Sequence, residues 1–385
     1  MRPSLLSDLL DREYEASAAG RHVPVMLWGP PGVGKSEIVH ALAARHSVPV
    51  VDLRLSQLEP TDLRGIPFRE GERVDWSIPA MLPDAHRHGP RGVLFLDEIN
   101  AAPPTVTAAA YQLILDRRLG DYRVPTGWAI FAAGNRQGDR GVTYAMPAPL
   151  ANRFTHYEVE AHLEDWIAWA HDADLAPSLI AFLRFRPELL FDFDPGRNPL
   201  AFPSPRTWFY ADRALAKFRD APAMLAEGLA ACVGRAAAAE LVAFLDHMEH
   251  LPDVEAIVRG DPQPVPEAID LQYGIAAALV RRARRARQSP DAMHIAGNIL
   301  RYAAQFPQRE MGVMLVTDLQ RAYDRPLIDI PEFIAWADGV SHLVRPSPGR
   351  EEAPGGEAVP GREETPPAPP PVERIPWRVR TRSRN

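Results

Sequence analysis

The sequence predicts an α/β fold, with a parallel β-sheet covered by helices and a long helical region after it. In the N-terminal part of the chain, short runs rich in strand-forming residues alternate with helical runs. These predicted strands lie at residues 23–28, 48–53, 92–96 and 128–133. Strands that alternate with helices are typical of a parallel sheet with helices on both faces. From about residue 163 to 344 only helical periodicity remains, as at residues 224–233, 236–248, 268–287 and 292–306.

Three regions follow from this pattern. Residues 1–160 are predicted to form the α/β domain, with an inserted hairpin at about residues 57–82, and residues 161–344 a helical region. Residues 345–385 are rich in Pro, Gly and Glu and end in a basic segment. Such a composition buries too little apolar surface to order itself, so we predict a disordered tail. Its basic end is either solvated or a docking peptide for an acidic partner surface.

Composition limits the class of protein. The chain has 385 residues, of which 46% are hydrophobic, and a formal net charge of −7. These values suit a globular protein of two or three domains and offer no general attraction to nucleic acid. No run approaches the roughly 18 apolar residues that span a bilayer, and acidic residues follow Arg2 too soon for a secretory signal. We therefore expect a cytoplasmic protein without a membrane partner. Cys232 lies in an Ala-rich helical run and is expected to be buried.

The strongest local signal is the segment Gly-Pro-Pro-Gly-Val-Gly-Lys-Ser at residues 29–36, between a predicted strand and a helical run. It fits the spacing GxxxxGK[ST] of phosphate-binding loops. Glycines let successive backbone N–H groups face phosphates, and the start of the next helix adds partial positive charge. We expect Lys35 to reach the β- and γ-phosphates of ATP and the Ser36 hydroxyl to hold Mg²⁺. The predicted nucleotide-binding residues are Gly29, Pro30, Pro31, Gly32, Val33, Gly34, Lys35, Ser36 and Glu37.

A second motif, at residues 92–100, is an apolar strand that ends in Asp97 and Glu98. We expect Asp97 to bind Mg²⁺ together with Ser36, and Glu98 to polarise the attacking water as general base. A third predicted strand ends at Asn135. This residue is expected to lie between the other two strand ends, where it orients the same water or touches the γ-phosphate. Gly-Asn is also a frequent turn dipeptide, which is the alternative interpretation of Asn135.

Five motifs together resemble the MoxR family of AAA+ ATPases. They are the loop at residues 29–36, the segment 96–100, the strand end at Asn135, the stretch 150–154 and Ser-Pro-Arg at residues 204–206. The resemblance covers about residues 20–215 and implies a P-loop AAA+ parallel sheet core with an α-helical lid and additional C-terminal helices. It also implies a chaperone-like ATPase that needs ATP and Mg²⁺ and assembles into a homo-oligomeric ring, expected to be a hexamer.

The resemblance assigns roles to three of these residues. Asn135 matches the sensor 1 position, Arg153 the arginine finger that reaches the ATP of a neighbouring subunit, and Arg206 the sensor 2 arginine of a lid helix. A guanidinium delivered to the γ-phosphate stabilises the charge of the transition state. Arg153 and Arg206 are otherwise ordinary helix-terminal arginines, and Arg136 is a weaker candidate for the same task. The arginine that relatives carry after Asp-Glu-Ile-Asn is replaced by Ala101, which leaves its task unassigned.

Two hairpins are predicted within the α/β domain. The insert has two β-like arms around Glu70-Gly71-Glu72 and resembles the helix 2 insert that related proteins project toward the ring pore. It either contacts a substrate or partner, or only packs against Trp76. A turn at Gly120-Asp121 matches the hairpin that precedes sensor 1. His86 and His88 have no further ligands at metal-binding spacing, so we expect a surface loop there.

The predicted function is ATP hydrolysis at subunit interfaces that remodels or matures a protein target. A partner bearing a von Willebrand factor A domain is implied by the family resemblance alone. Two other classes stay open, a nucleic-acid-associated AAA+ motor and a nucleotide-controlled scaffold with little turnover. A motor would need a basic, aromatic pore loop, whereas the insert mixes Arg64, Arg69 and Arg73 with acidic residues. A scaffold would keep Lys35 and make Glu98 dispensable.

Overall fold

Strands and helices alternate in the N-terminal part of the chain, as the sequence predicts. The computed structural model describes residues 1–21, 23–136, 138, 144–194, 196, 200–323 and 326–344. The strands of these residues are β1 (Val25–Trp28), β2 (Val50–Arg54), β3 (Pro67–Glu70), β4 (Arg73–Trp76), β5 (Arg91–Asp97), β6 (Arg118–Leu119), β7 (Tyr122–Arg123), β8 (Gly127–Gly134) and β9 (Thr155–Glu158). Their α-helices are α1 (Pro3–Ala18), α2 (Lys35–Arg45), α3 (Pro60–Arg64), α4 (Pro104–Asp116), α5 (Ala148–Ala151), α6 (Leu163–Asp172), α7 (Pro177–Phe185), α8 (Pro205–Lys217), α9 (Pro222–Val233), α10 (Arg235–His247), α11 (Val254–Arg259), α12 (Ile269–Ala286), α13 (Ala292–Ala303), α14 (Arg309–Ala322) and α15 (Pro331–Val344).

A five-stranded parallel sheet forms the centre of the α/β region, in the order β2-β5-β8-β1-β9. The register pairs β1 with β8 and β9, and β5 with β2 and β8. Because all neighbours are parallel, the carboxyl ends of β1, β5 and β8 lie along one edge of the sheet, where open α/β sheets bind their ligands. The segments that follow these three strands are therefore brought together.

Both faces of the sheet are buried. Along β5, Val93 and Phe95 belong to the core that includes α1 and α2, whereas Leu94 and Leu96 belong to the core that includes α4. The alternation arises because successive side chains of a strand point to opposite faces. A strand buried on both faces reads as a continuous apolar run. The sequence pattern therefore located β5 and β8 well.

The four predicted strands are confirmed with small shifts of their ends, and the α/β fold class is correct. A fifth strand, β9, was not predicted. It pairs only with β1 at the edge of the sheet, and its residues are alternately half-buried and exposed, so its sequence is polar. Helix α1 was also not predicted, although Leu6, Leu10 and Tyr14 repeat at helical spacing and are fully buried.

Both predicted hairpins are present. In the insert hairpin, β3 and β4 pair antiparallel, with Pro67 opposite Trp76 and Glu70 opposite Arg73. At its base the backbone N–H of Ile66 donates to Ser77 Oγ at 2.9 Å, and the N–H of Ser77 donates to the Ile66 carbonyl at 3.0 Å. The second hairpin pairs β6 with β7 across the predicted turn.

Two apolar cores hold the helical region. One joins α6, α7 and α8 to α9 and α10, and the other lies within α11 to α14. Tyr273 of α12 packs against both cores, which makes the two groups of helices continuous. The four predicted helices correspond to α9, α10, α12 and α13. Cys232 is half-buried at the first core rather than fully buried, because α9 covers the core with only part of its surface.

Contacts divide the chain into one unit at Met1–Val340 and a second at Ser341–Asn385. The predicted tail at residues 345–385 lies outside the described residues. The predicted domain boundary at residue 160 stays a prediction; β9 ends at Glu158 and α6 begins at Leu163. Among the described residues, no helix combines the length and apolar character needed to cross a membrane.

Candidate nucleotide-binding and hydrolysis site

The glycine-rich loop connects β1 to α2 at the carboxyl edge of the sheet. Gly34 precedes the first residue of α2 and has φ 98° and ψ 17°, a left-handed conformation that favours glycine. Gly32, at φ 82°, lies against the start of α8, where an added Cβ atom would be 2.7 Å from Ser204 Oγ. The loop therefore folds back tightly over the N-terminus of α2. The N-terminus of a helix directs backbone N–H groups outward and suits an anion.

Lys35 is the first residue of α2, and its side chain crosses the loop. Its Nζ donates hydrogen bonds to the carbonyl oxygens of Gly29 at 2.6 Å and Pro30 at 3.1 Å, and to Asn135 Oδ1 at 3.2 Å. The ammonium group is thus held between the ends of β1 and β8. A phosphate in the loop would face this charge, as the loop motif predicts.

Ser36 and Asp97 meet across the site. The Ser36 hydroxyl donates to Asp97 Oδ2 at 2.9 Å, and Asp97 Oδ1 accepts the backbone N–H of Glu98 at 2.9 Å. A hydroxyl and a carboxylate side by side are the oxygen ligands that Mg²⁺ takes when nucleotide phosphates supply the rest. The loop, the lysine and this oxygen pair therefore fit ATP with Mg²⁺. Among the described residues, no cluster of three His, Cys, Asp or Glu side chains forms a separate metal site.

Glu98 leaves β5 in a left-handed turn with φ 55°. This conformation costs a non-glycine residue on the order of 1 kcal/mol, so the surrounding contacts must maintain it. The exposed carboxylate accepts a hydrogen bond at Oε2 from the hydroxyl of Ser56, in the 3₁₀ turn Leu55–Gln57 after β2. Ser56 was not predicted from the sequence. The available signal was a hydroxyl residue two positions after the end of β2.

Asn135 follows β8, which lies between β5 and β1, as predicted. Its side chain contacts Lys35, and its backbone contacts the amide of the buried residue Asn100. Asn100 was noted only as part of a motif and was not predicted to act in the site. The structure thus brings together Lys35, Ser36, Asp97, Glu98 and Asn135.

The two predicted arginines, Arg206 and Arg153, differ in their contacts with the rest of the chain. Arg206 is the second residue of α8, and its backbone N–H donates to the Gly32 carbonyl at 3.2 Å, so α8 begins against the phosphate loop. Arg153 is exposed in the turn between α5 and β9, and its guanidinium has no hydrogen bond or ion pair with the described residues. Arg136 pairs with Glu158 at 2.9 Å. The side chain of Arg153 therefore forms no hydrogen bond or ion pair with the other predicted site residues of its own chain that the structure describes.

The two hairpins differ in burial. The insert exposes large apolar side chains on both arms: Ile66 by 68%, Val74 by 65% and Trp76 by 44%. The second hairpin is anchored to the rest of the domain. The Tyr122 hydroxyl donates to the Pro83 carbonyl at 2.7 Å. Arg117 donates hydrogen bonds to the carbonyl oxygens of Pro125 and Trp128. Burial raises the pKa of Tyr122 and lowers the pKa of Arg117. The insert is thus the hairpin with free contact surface.

Residues 24–154 match the family model of the AAA domain, dynein-related subfamily. This match agrees with the parallel sheet and confirms the predicted P-loop AAA+ fold, and with it the prediction of an ATP-hydrolysing enzyme for the matched region.

Similar proteins match parts of the chain of different length. Midasin of Giardia intestinalis is 31% identical over 37% of this chain and 3% of its own length. Protein NorQ of Paracoccus denitrificans is 35% identical over 28% of this chain and 38% of its own length. A solved structure, that of a point mutant of Thermotoga maritima RuvB, is 18% identical, covers 70% of this chain and 80% of its own, and has a TM-score of 0.36. The chain therefore spans well under half the length of these curated relatives.

Proposed function

We propose that this protein is an AAA+ ATPase of the MoxR type, which hydrolyses ATP with Mg²⁺ at the interfaces between subunits of a homo-oligomeric ring and thereby remodels or matures a protein target. The observation that carries the proposal is the convergence of Lys35, Asp97, Glu98 and Asn135 at the carboxyl ends of β1, β5 and β8. The five motifs and the similarity to NorQ support the MoxR type.

Each residue of the convergent set has a task in this proposal. Lys35 exchanges its contacts with loop carbonyls for phosphate oxygens. Ser36 and Asp97 would hold the metal ion, which would neutralise the negative charge of the phosphates. Glu98 accepts a proton from the attacking water, and the Asn135 amide orients that water.

The arginines complete the site from two directions. We assign Arg153 to the site of the neighbouring subunit, since its exposed guanidinium is unused by the described residues of its own chain. A guanidinium from outside the loop stabilises the transition state strongly, which makes hydrolysis depend on assembly. Arg206 starts the lid helix against the loop and couples the lid angle to the nucleotide.

The insert hairpin is the proposed contact with the target. Its exposed apolar side chains suit a polypeptide, and its mixture of Arg69 and Arg73 with Glu70 and Glu72 disfavours the phosphate backbone of a nucleic acid. The hexameric ring and the partner with a von Willebrand factor A domain rest on the family resemblance, and the proposed cytoplasmic location rests on the composition of the sequence.

Turnover and binding measurements on two variants test the enzyme proposal. Glu98→Gln should lower kcat by about 100-fold or more and keep ATP binding, because it removes only the base. Lys35→Ala should lose ATP binding. The controls Glu15→Gln and Lys217→Ala change exposed charges outside the site. Unchanged hydrolysis by Glu98→Gln would make the protein a nucleotide-controlled scaffold, and strong stimulation by DNA or RNA would favour a nucleic-acid motor.

The hairpin is tested with an unfolded model polypeptide as target. The double variant Val74→Ser and Trp76→Ser should abolish stimulation of hydrolysis by this polypeptide and leave the basal rate unchanged, because neither side chain contacts the site. Ile328→Ser, another exposed apolar residue, is the control and should retain stimulation. Equal stimulation of all three proteins would exclude the hairpin as the target contact.

A further inference from the structure

The side chain of Asn100 binds both backbone polar groups of Asn135. Its Nδ2 donates to the Asn135 carbonyl at 2.7 Å, and its Oδ1 accepts the Asn135 N–H at 3.2 Å. Asn100 is 6% exposed, so water does not replace these bonds easily. One amide thereby mimics a neighbouring strand and extends the backbone pairing of β8 beyond its last residue.

The approach of Asn100 to β8 is close. A Cβ atom at Gly134 would collide with Asn100 Oδ1 and lie 2.8 Å from Met26 Cε. Only a glycine before Asn135 leaves room for the amide at this position. Gly134 therefore allows Asn100 to pack against the end of β8, in addition to favouring the turn that the Gly-Asn dipeptide predicts.

The turn that carries Glu98 is held at the same place. The N–H of Ile99 donates to the Ala133 carbonyl at 3.0 Å, and the N–H of Ala101 donates to the Glu98 carbonyl at 2.9 Å. With Asn100, these bonds fold residues 98–101 back onto the end of β8. The left-handed conformation of Glu98 lies between two attachments, at Asp97 and at Asn100. Loss of the Asn100 amide would free one side of this turn.

We infer that Asn100 is a positioning residue, which sets the Glu98 carboxylate relative to the Asn135 side chain and the phosphate loop. The inference rests on the proposed function, in which Glu98 and Asn135 act on the same water. A connected path of hydrogen bonds leads from the phosphate loop to the predicted base through Lys35, Asn135, Asn100 and the turn of Glu98. In this inference Asn100 acts through the backbone of Asn135 and not on the nucleotide or the attacking water.

A purely structural role would also make Asn100 important, so the test needs a matched control. Asn298 of α13 provides one, because it is 3% exposed and its Nδ2 donates to the Val258 carbonyl at 2.7 Å. It has the same chemistry as Asn100 and lies in the C-terminal helical core, outside the site. Asn298→Ala should therefore lower Tm as a buried amide substitution does and leave kcat unchanged.

The experiment measures kcat, the KM for ATP and Tm for Asn100→Ala and Asn298→Ala in the full chain. Asn100→Ala should lower kcat by about ten-fold or more, since small misplacements of catalytic groups are costly, and should leave KM within about two-fold of wild type. If kcat of Asn100→Ala matches that of Asn298→Ala at a temperature where both are folded, the inference is wrong.

Asn100→Asp decides the question if Asn100→Ala does not fold. It keeps the shape of the side chain and an acceptor for the Asn135 N–H, but it places an oxygen against the Asn135 carbonyl in place of a donor. A fall in kcat at unchanged KM supports positioning, and wild-type kcat overturns it.

Glu98→Gln, measured in parallel, distinguishes a failure of the role inferred for Asn100 from a failure of the proposed function. If Glu98→Gln loses hydrolysis and Asn100→Ala does not, the role of Asn100 is wrong and the proposed function stands. If Glu98→Gln hydrolyses ATP at the wild-type rate, both are overturned.

Discussion

The hydroxyl of Ser56 donates a hydrogen bond to Oε2 of Glu98. Ser56 follows β2, which is an edge strand next to β5, whereas the phosphate loop and Asn135 follow β1 and β8 on the other side of β5. The hydrogen bond thus draws the carboxylate toward the edge of the sheet, away from the place where phosphates would lie. We interpret this as a resting position of the predicted base, which must leave Ser56 before it can accept a proton from water.

Removal of this hydrogen bond should speed basal hydrolysis. Ser56→Ala is expected to raise the basal kcat by about three-fold or more, because a partly exposed hydrogen bond contributes about 1 kcal/mol to the resting position. Steady-state phosphate release measures the effect. Ser56→Thr keeps the hydroxyl and should behave as wild type. A lower rate for Ser56→Ala would mean that the hydroxyl assists the base.

Arg153 is expected to act on the neighbouring subunit, so two inactive variants should complement each other. Arg153→Ala retains the phosphate loop, and Lys35→Ala retains the arginine. In a ring with head-to-tail interfaces, an equal mixture restores about a quarter of the sites. Hydrolysis by the mixture should therefore exceed that of either variant alone. Arg12→Ala, an exposed arginine of α1, should be fully active by itself. A mixture no more active than its components would exclude a role in trans.

The buried ion pair of the helical region should contribute strongly to stability. Arg184 Nη2 of α7 lies 2.6 Å from Asp318 Oδ2 of α14, and the two side chains are 5% and 7% exposed. His171 Nε2 lies 3.7 Å from the same oxygen. Arg184→Ala leaves the carboxylate buried without its main partner, so the free energy of unfolding should fall by about 3–5 kcal/mol.

Urea denaturation of Arg184→Ala and of Arg186→Ala tests this difference. Arg186 pairs with Glu188 and Glu240 at the surface, where an ion pair contributes at most about 1 kcal/mol. A loss for Arg184→Ala no larger than that for Arg186→Ala would show that the buried pair adds no net stability.

Two buried tyrosines should make the protein sensitive to alkaline pH. Burial raises the pKa of Tyr302 and of Tyr323 to about 12, from an ordinary value of 10.0. Their hydroxyls donate to the carbonyl oxygens of Pro264 and Ala292, each at 3.0 Å. Since the unfolded chain ionises first, the stability from these groups is complete below pH 10 and is lost as the pH rises toward 12.

Denaturation at a series of alkaline pH values checks this prediction. The double variant Tyr302→Phe and Tyr323→Phe should lose less stability over the alkaline range than wild type, because these two buried phenols can no longer ionise. Tyr210→Phe, at a tyrosine that is 49% exposed, should keep the wild-type pH dependence. The same slope in all three proteins would contradict the assignment to Tyr302 and Tyr323.

Much of the fold could be predicted because burial leaves a local pattern. The inner strands β5 and β8 are covered on both faces and appear as continuous apolar runs, which single-sequence reasoning detects. The edge strand β9 carries Thr155, His156 and Glu158 and leaves no such run, so it was found only in the structure. Its pairing with β1 depends on a partner distant in sequence.

The chemical groups of the candidate site were determined by the sequence alone. The phosphate loop, Asp97, Glu98 and Asn135 follow strands or precede a helix, and parallel strands carry their carboxyl ends to a common edge. The tertiary structure decided which other residues hold these groups. In the site Ser56 binds Glu98 and Asn100 binds Asn135, and in the helical region Arg184 binds Asp318, because sheet order and helix packing bring separate segments within hydrogen-bond distance. Local sequence patterns do not indicate which distant residues become neighbours in the folded chain.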